Sequence, residues 1–452
     1  MATATTRTTV PEVRILSKHV IKPTPRPNEE SPLIIHLTPW DQILLTVDYI
    51  QKGLLFRKPQ NNQEDIIAKL KYSFGLALNH FFPLAGRLVV TNHSNTITSP
   101  SISISIECND RGAEFIHAAA PEVTVADIVK PLYIPSVVLS FFTLNAVPSI
   151  DGCTLPLLAV QVTELMDGFF IGMSINHPAA DGTCFWHFFN KWSEICRTGI
   201  ETIKNPPVLD RWFVDSCKPP IKLPFSTELE FVSRYPRPKI TECYFEFSAE
   251  SVASLKAKAN QEMGTERISS LQSLLAHLWR CVTRARRLEP NDEVVYSFLI
   301  GCRSRLTPPM PAEYLGNAVF IGKALAKAGE LLENGLGWAA WTLNQMVASF
   351  TEDAVRKNLE EWEQKPFFAY IQRVKPGELV TGSSPRFDVY GNDFGWGKPV
   401  TVRSGCGNKG DGKATIFPGP EKGSMALELS LLPDVLSLLV DDPEFMELVR
   451  KN

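Results

Sequence analysis

Ser174-Ile175-Asn176-His177-Pro178-Ala179-Ala180-Asp181-Gly182 is the stretch on which the reading of this chain turns. It closes an apolar run of strand length, Phe169 to Ile175. It opens a helical run from about Thr183 to Cys196, whose apolar face carries Phe185, Phe188, Phe189 and Trp192. A histidine at a strand-to-helix junction stands at the edge of a core, where it can face a cavity. Its near-neutral pKa suits it to accept a proton. Asp181, four residues on, can orient that ring or cap the helix that follows. Taken alone, the pair also fits a core histidine beside an ordinary helix cap. The other histidines (His19, His36, His80, His93, His117, His187 and His277) show no H-x-x-x-H or matching cluster, so no metal site is expected. No G-x-S-x-G elbow is present either.

Outward from this stretch both halves of the chain mix strands and helices. Val13 to Val20, Ile102 to Ile106, Leu157 to Val162 and Val294 to Ile300 read as strands. The Ile/Ser alternation of 102–106 predicts one buried and one wet face. Val137 to Val147 is a further apolar run of strand length. Ile66 to His80 has helical spacing, and Ser269 and Ser270 precede a helical run from Leu271 to Arg286. Between Pro206 and Pro238 fall seven prolines, which read as an extended connection laid along a surface by Trp212 and Phe213. The expected division is a domain at 1–200, a connection at 201–238 and a second domain at 239–452, of α+β (mixed α/β) class.

The 452 residues carry 46 basic and 49 acidic side chains, a formal charge of −3, without the basic excess of a nucleic-acid binder. With 44% apolar residues the chain can bury sizeable cores, and no run is long enough for a membrane helix. Nine cysteines without a C-x-x-C pair read as reduced thiols. The Thr-rich Met1 to Val10 lacks the apolar region of a secretory signal, and Val449 to Asn452 carries no peroxisomal address. The expectation is a soluble cytoplasmic monomer without membrane or nucleic-acid partners. Gly405 to Gly410 and Gly407 to Lys413 match two phosphate-binding glycine patterns. Ala414 stands where a Ser or Thr is needed and no helix can follow, so a polar turn between strands is expected.

Several stretches together resemble one family. His177-Pro178-Ala179-Ala180-Asp181-Gly182 is similar to the H-x-x-x-D motif of the plant BAHD acyltransferases, and Asp393-Phe394-Gly395-Trp396-Gly397 is identical to their D-F-G-W-G signature. Phe81 to Arg87, Gln161-Val162-Thr163 and Tyr314-Leu315-Gly316-Asn317 resemble further family stretches, so the likeness spans roughly residues 13–435. It implies two chloramphenicol-acetyltransferase-like domains joined by a crossover loop, with an acyl-CoA co-substrate, a small-molecule acceptor and no bound cofactor. It further implies that His177 is the general base and that no acyl-enzyme forms. Asp181 would turn away and pair with Arg303, and Asp393, Gly395, Trp396 and Gly397 would be structural.

For the donor's phosphates the chain offers Ser269 and Ser270 at a helix start and Arg284 near its end. Many hydroxycinnamoyl-transferring relatives carry Thr-x-Trp at the positions read here as Gly382-Ser383-Ser384, which places Ser384 on the acceptor or oxyanion side. Peptide-synthetase condensation domains share the H-x-x-x-D-G pattern but usually carry two adjacent histidines; here Asn176 precedes His177. The alternatives are a lyase or rearrangement on the same scaffold, or a non-catalytic binding protein.

Overall fold

The computed structural model describes residues 11–25, 31–59, 65–93, 100–234, 236–370 and 375–450. The N-terminal Thr-rich stretch, Met1 to Val10, and the last two residues lie outside the described residues. Strands are numbered in chain order. The first sheet has six strands, ordered β1 (Arg14–Ile21), β6 (Ala113–Ala120), β7 (Leu158–Leu165), β8 (Gly168–Ile175), β3 (Ile50–Arg57) and β13 (Thr401–Ser404). The second, also of six, runs β11 (Val319–Lys327), β10 (Glu293–Gly301), β12 (Glu378–Gly382), β14 (Lys413–Pro418), β15 (Met425–Leu431) and β9 (Thr241–Phe247). A three-stranded sheet of β2 (Leu33–His36), β5 (Ile102–Cys108) and β4 (Arg87–Asn92) flanks the first. The class is mixed α/β with two sheet-centred halves, in agreement with the sequence.

Two local expectations are corrected. β5 is buried on both faces, because the hydroxyls of Ser103 and Ser105 meet His93 Nε2 at 2.8 Å and His36 Nδ1 at 3.0 Å and need no water. The run from Val137 forms no strand. It coils into a 3₁₀ turn, Ser136–Phe141, that buries Val138 and Phe141, three residues apart on one face.

The proline-rich connection contains no strand longer than isolated bridges among its described residues. One bridge joins Val208 to Tyr314 and another joins Leu223 to Ile102. Trp212 stacks on Trp40 with ring centres 5.4 Å apart, and Val214, Leu223 and Phe231 enter the core. The halves are also stitched by β13. Although it lies beyond residue 400, it pairs antiparallel with β3, Thr401 opposite Leu55 and Ser404 opposite Lys52. The glycine-rich turn after it carries the chain from the first sheet to the second. Among the described residues no helix is long and apolar enough to cross a membrane.

Candidate active site

β8 delivers His177. Every residue of this strand is buried, and at its end Asn176 donates through Nδ2 to the Ser149 carbonyl at 2.6 Å. The backbone leaves the sheet there, so His177–Ala179 form one 3₁₀ turn with Pro178, its second residue, fixing φ in the helical range. Asp181 then caps the Gly182–Thr198 helix, accepting from Thr183 N at 3.0 Å and Cys184 N at 3.1 Å.

Both carboxylate oxygens of Asp181, the capping Oδ1 and the second oxygen Oδ2, accept from Arg303, Nη1 to Oδ2 at 2.5 Å and Nη2 to Oδ1 at 3.1 Å. Arg303 in turn donates to the Tyr314 and Gly316 carbonyls, at 3.1 Å each. Burial would raise the Asp181 carboxyl. Arg303 and the backbone N–H groups of Cys184 and Ala318 outweigh it and hold the group below the usual carboxylate range. Asp181 is thereby fixed between two segments 122 residues apart and is not hydrogen-bonded to the His177 ring.

His177 is held from another side. Asn317 Nδ2 donates to the His177 carbonyl at 2.7 Å and to Asp41 Oδ1 at 3.0 Å, and the Asn317 N–H donates to the same Asp41 oxygen at 2.9 Å. Arg211 Nη1 approaches Asp41 at 3.6 Å. The backbone beside Asn317 admits only glycine: Gly316 has φ +153°, and a Cβ there would lie 1.6 Å from Arg211 Nη1. Burial drives the imidazole pKa from 6.5 down to about 4, opposed by its own backbone carbonyl, Asp181 and Asn317. Near neutrality the ring is therefore a free base.

Asp393 folds the D-F-G-W-G stretch on itself, its Oδ1 accepting from Gly395 N at 2.8 Å and Gly397 N at 3.0 Å. Phe394 packs edge-on to Trp192 with centres 4.9 Å apart, and Trp396 lies 5.4 Å from Phe169 and 5.6 Å from Phe56. The stretch thus clamps β8, β3 and the helix after His177.

Ser384 spends its hydroxyl locally, accepting from Arg386 N at 3.2 Å. The neighbouring Ser383, at φ +72°, instead buries a hydroxyl that has no hydrogen-bond partner among the described residues. Ser269 caps the Ser270–Ala285 helix in a reciprocal box with Gln272. Ser270 opens onto a surface cleft of about 760 Å³ lined also by Lys256, Asn260, Thr265 and Gly423. Arg284 is at the other end of that helix, roughly 20 Å away at 1.5 Å per residue. There it is paired with Asp442 at 2.7 Å and Glu444 at 2.9 Å. The structure therefore brings His177, Asp181 and Arg303 together but does not bring Arg284 to the serines.

Two sheets meeting at a histidine turn, with an aspartate–arginine brace behind it, define a two-domain transferase architecture. The chain belongs to the BAHD acyltransferases, residues 11–446 matching the family described as the Transferase family. An uncharacterised acetyltransferase of Arabidopsis thaliana is 40% identical over 447 residues, covering 96% of this chain and 99% of that protein. The BAHD acyltransferase DCR of the same plant is 33% identical over 467 residues, covering 96% and 92%. Among solved structures, vinorine synthase shares the fold with a TM-score of 0.74 at 22% identity, covering 98% of this chain and 99% of that one. The protein is thus an acyl-CoA-dependent acyltransferase.

Proposed function

We propose that the protein moves an acyl group from acyl-CoA directly to a hydroxyl or amine of a small metabolite, with His177 as general base. The observation that carries this is the neutral, buried yet not fully enclosed imidazole at the end of β8. The ring takes the acceptor's proton as the oxygen or nitrogen attacks the thioester carbon. The tetrahedral intermediate collapses, the C–S bond breaks, and the imidazolium returns the proton to the departing CoA thiolate. No acyl group is attached to the protein at any stage. Asp181 and Arg303 act as a brace, since both carboxylate oxygens are engaged away from the ring. Asn317 is a positioning residue that holds the His177 carbonyl.

We read the donor's phosphate end into the cleft beside Ser270, where the start of the helix and Lys256 favour anions and outnumber the one lining carboxylate, Glu266. Arg284 is left out of that reading because its charge is already paired. A panel of acyl-CoAs with pooled acceptors, followed by free-thiol release, tests the reaction. Release that requires acceptor and falls on the order of 10²–10⁴ in His177→Ala is expected. Near-normal turnover in the alanine variant rules the base assignment out.

A further inference from the structure

The side chains of β14 separate by alternation. Ala414 and Ile416 belong to the core of the second half, whereas Phe417 packs into the core of the first. Lys413 and Thr415 share the Phe417 face, because strand side chains alternate with period two. Facing them from β3 is Lys52, whose ammonium lies 5.4 Å from the centre of the Phe417 ring. Lys413 reaches back to Gly382, where an added Cβ would meet its Nζ at 2.8 Å. The Lys413 charge acts on both Lys52 and His177. Two ammonium groups, one from each sheet, thus stand on the side of the molecule that holds the base.

Their counter-charges are committed elsewhere. Lys409 pairs with Glu242 and donates to the Ser404 carbonyl at 3.2 Å. Glu428 accepts from the Ser404 N–H at 2.9 Å and from its hydroxyl, and lies 3.9 Å from Lys409. Among the described residues neither the Lys52 nor the Lys413 ammonium has a hydrogen bond or a direct ion pair. Lys52 and Lys413 are half-buried residues. Burial holds Lys413 down at about 8 and Lys52 at about 7, from 10.5. A bound anion would reverse that penalty.

We propose that Lys413, with Lys52 opposite, is a receptor for a carboxylate carried by one of the two substrates, so that the enzyme selects acidic over neutral molecules. This deepens the acyl-transfer reading and rests on it for the word substrate; the receptor itself does not. The carboxylate comes either from the free end of a dicarboxylic acyl group on the donor or from the acceptor.

Calorimetry on the full chain at pH 8 separates the two. The donor arm compares malonyl-CoA with acetyl-CoA; the acceptor arm compares 3-hydroxybenzoate with its methyl ester. The expected result is at least tenfold tighter binding of the acid in one arm, which identifies the source. Proton uptake, seen as a dependence of the heat on buffer ionisation, should accompany it. Lys413→Met should abolish the preference while leaving the neutral ligand's affinity unchanged, and Lys52→Met should weaken it. Lys413→Arg, which keeps the charge, should retain it and guards against misfolding of the methionine variant. No preference in either arm, or a preference that survives Lys413→Met, overturns the proposal. Because binding is read without turnover, missing thiol release beside an intact acid preference counts against the reaction and not against the receptor.

Discussion

His177 couples catalysis and stability to pH through one shift. Its folded pKa of about 4 lies below the 6.5 of the free side chain. Between those values the unfolded chain binds the proton and the folded one does not. The residue's contribution to stability is therefore whole above pH 6.5, declines as pH falls, and levels off below about 4. The base form persists over the same window, so the acid limb of kcat/KM should fall near pH 4–5 and not near 6.5. A pH–rate profile with any reactive substrate pair checks this. Asp181 belongs to a different account. Asp181→Ala leaves a buried guanidinium unpaired, and a cost of about 3–5 kcal/mol is expected in urea titrations. Arg303→Ala should cost a similar amount, and the double variant should cost much less than the two added together. The histidine and aspartate could be read in the sequence because four residues and one turn connect them. Asp41 and Arg211 could not, nor could the role of Asn317, although its stretch Tyr314 to Asn317 was recognisable: their contacts join segments up to 276 residues apart.

The elements most legible in the sequence are those whose pattern and caps are local. The Ile66–His80 helix appears with its bounds unchanged, starting from an Asp65 cap. The Ser270–Ala285 helix starts at its Ser269–Gln272 box. Removing that cap with Ser269→Ala should cost about 1 kcal/mol, read as a lowered denaturation midpoint with an unchanged slope. If Ser269 also meets the donor, the KM for acyl-CoA should rise beyond what the stability loss explains. Less legible were positions where a tertiary partner changed the meaning of a pattern. The alternating serines of β5 looked wet because nothing in sequence announces His36 and His93 beside them. Lys413 ends a stretch that imitates a phosphate-binding loop. Its meaning lies in Lys52, on the other sheet, which no spacing rule connects to it.

At the scale of the molecule the two halves are not independent bodies. β13 is borrowed by the first sheet from the far side of the second, and residues as distant as Val355, Trp362 and Phe394 share a core with Phe74 and Trp192. A fragment of residues 1–238 lacks β13 and leaves the buried strand β3 with an open edge, which invites pairing with other chains. Expressed alone, it is expected to aggregate, and co-expression with residues 239–452 should recover soluble complex. Gel filtration of both preparations decides the matter; a soluble, monomeric 1–238 would show that β13 is dispensable. The borrowed strand also sets a schedule at the ribosome. β3 ends at Arg57 and its partner ends at Ser404. At roughly 5–20 residues per second the nascent chain waits tens of seconds between making one edge and making its cover. During that interval the open edge of β3, the neighbour of the strand that leads to the catalytic turn, is exposed, so this protein's yield in a cell should depend on chaperone occupancy at mid-synthesis more than on the final fold's stability.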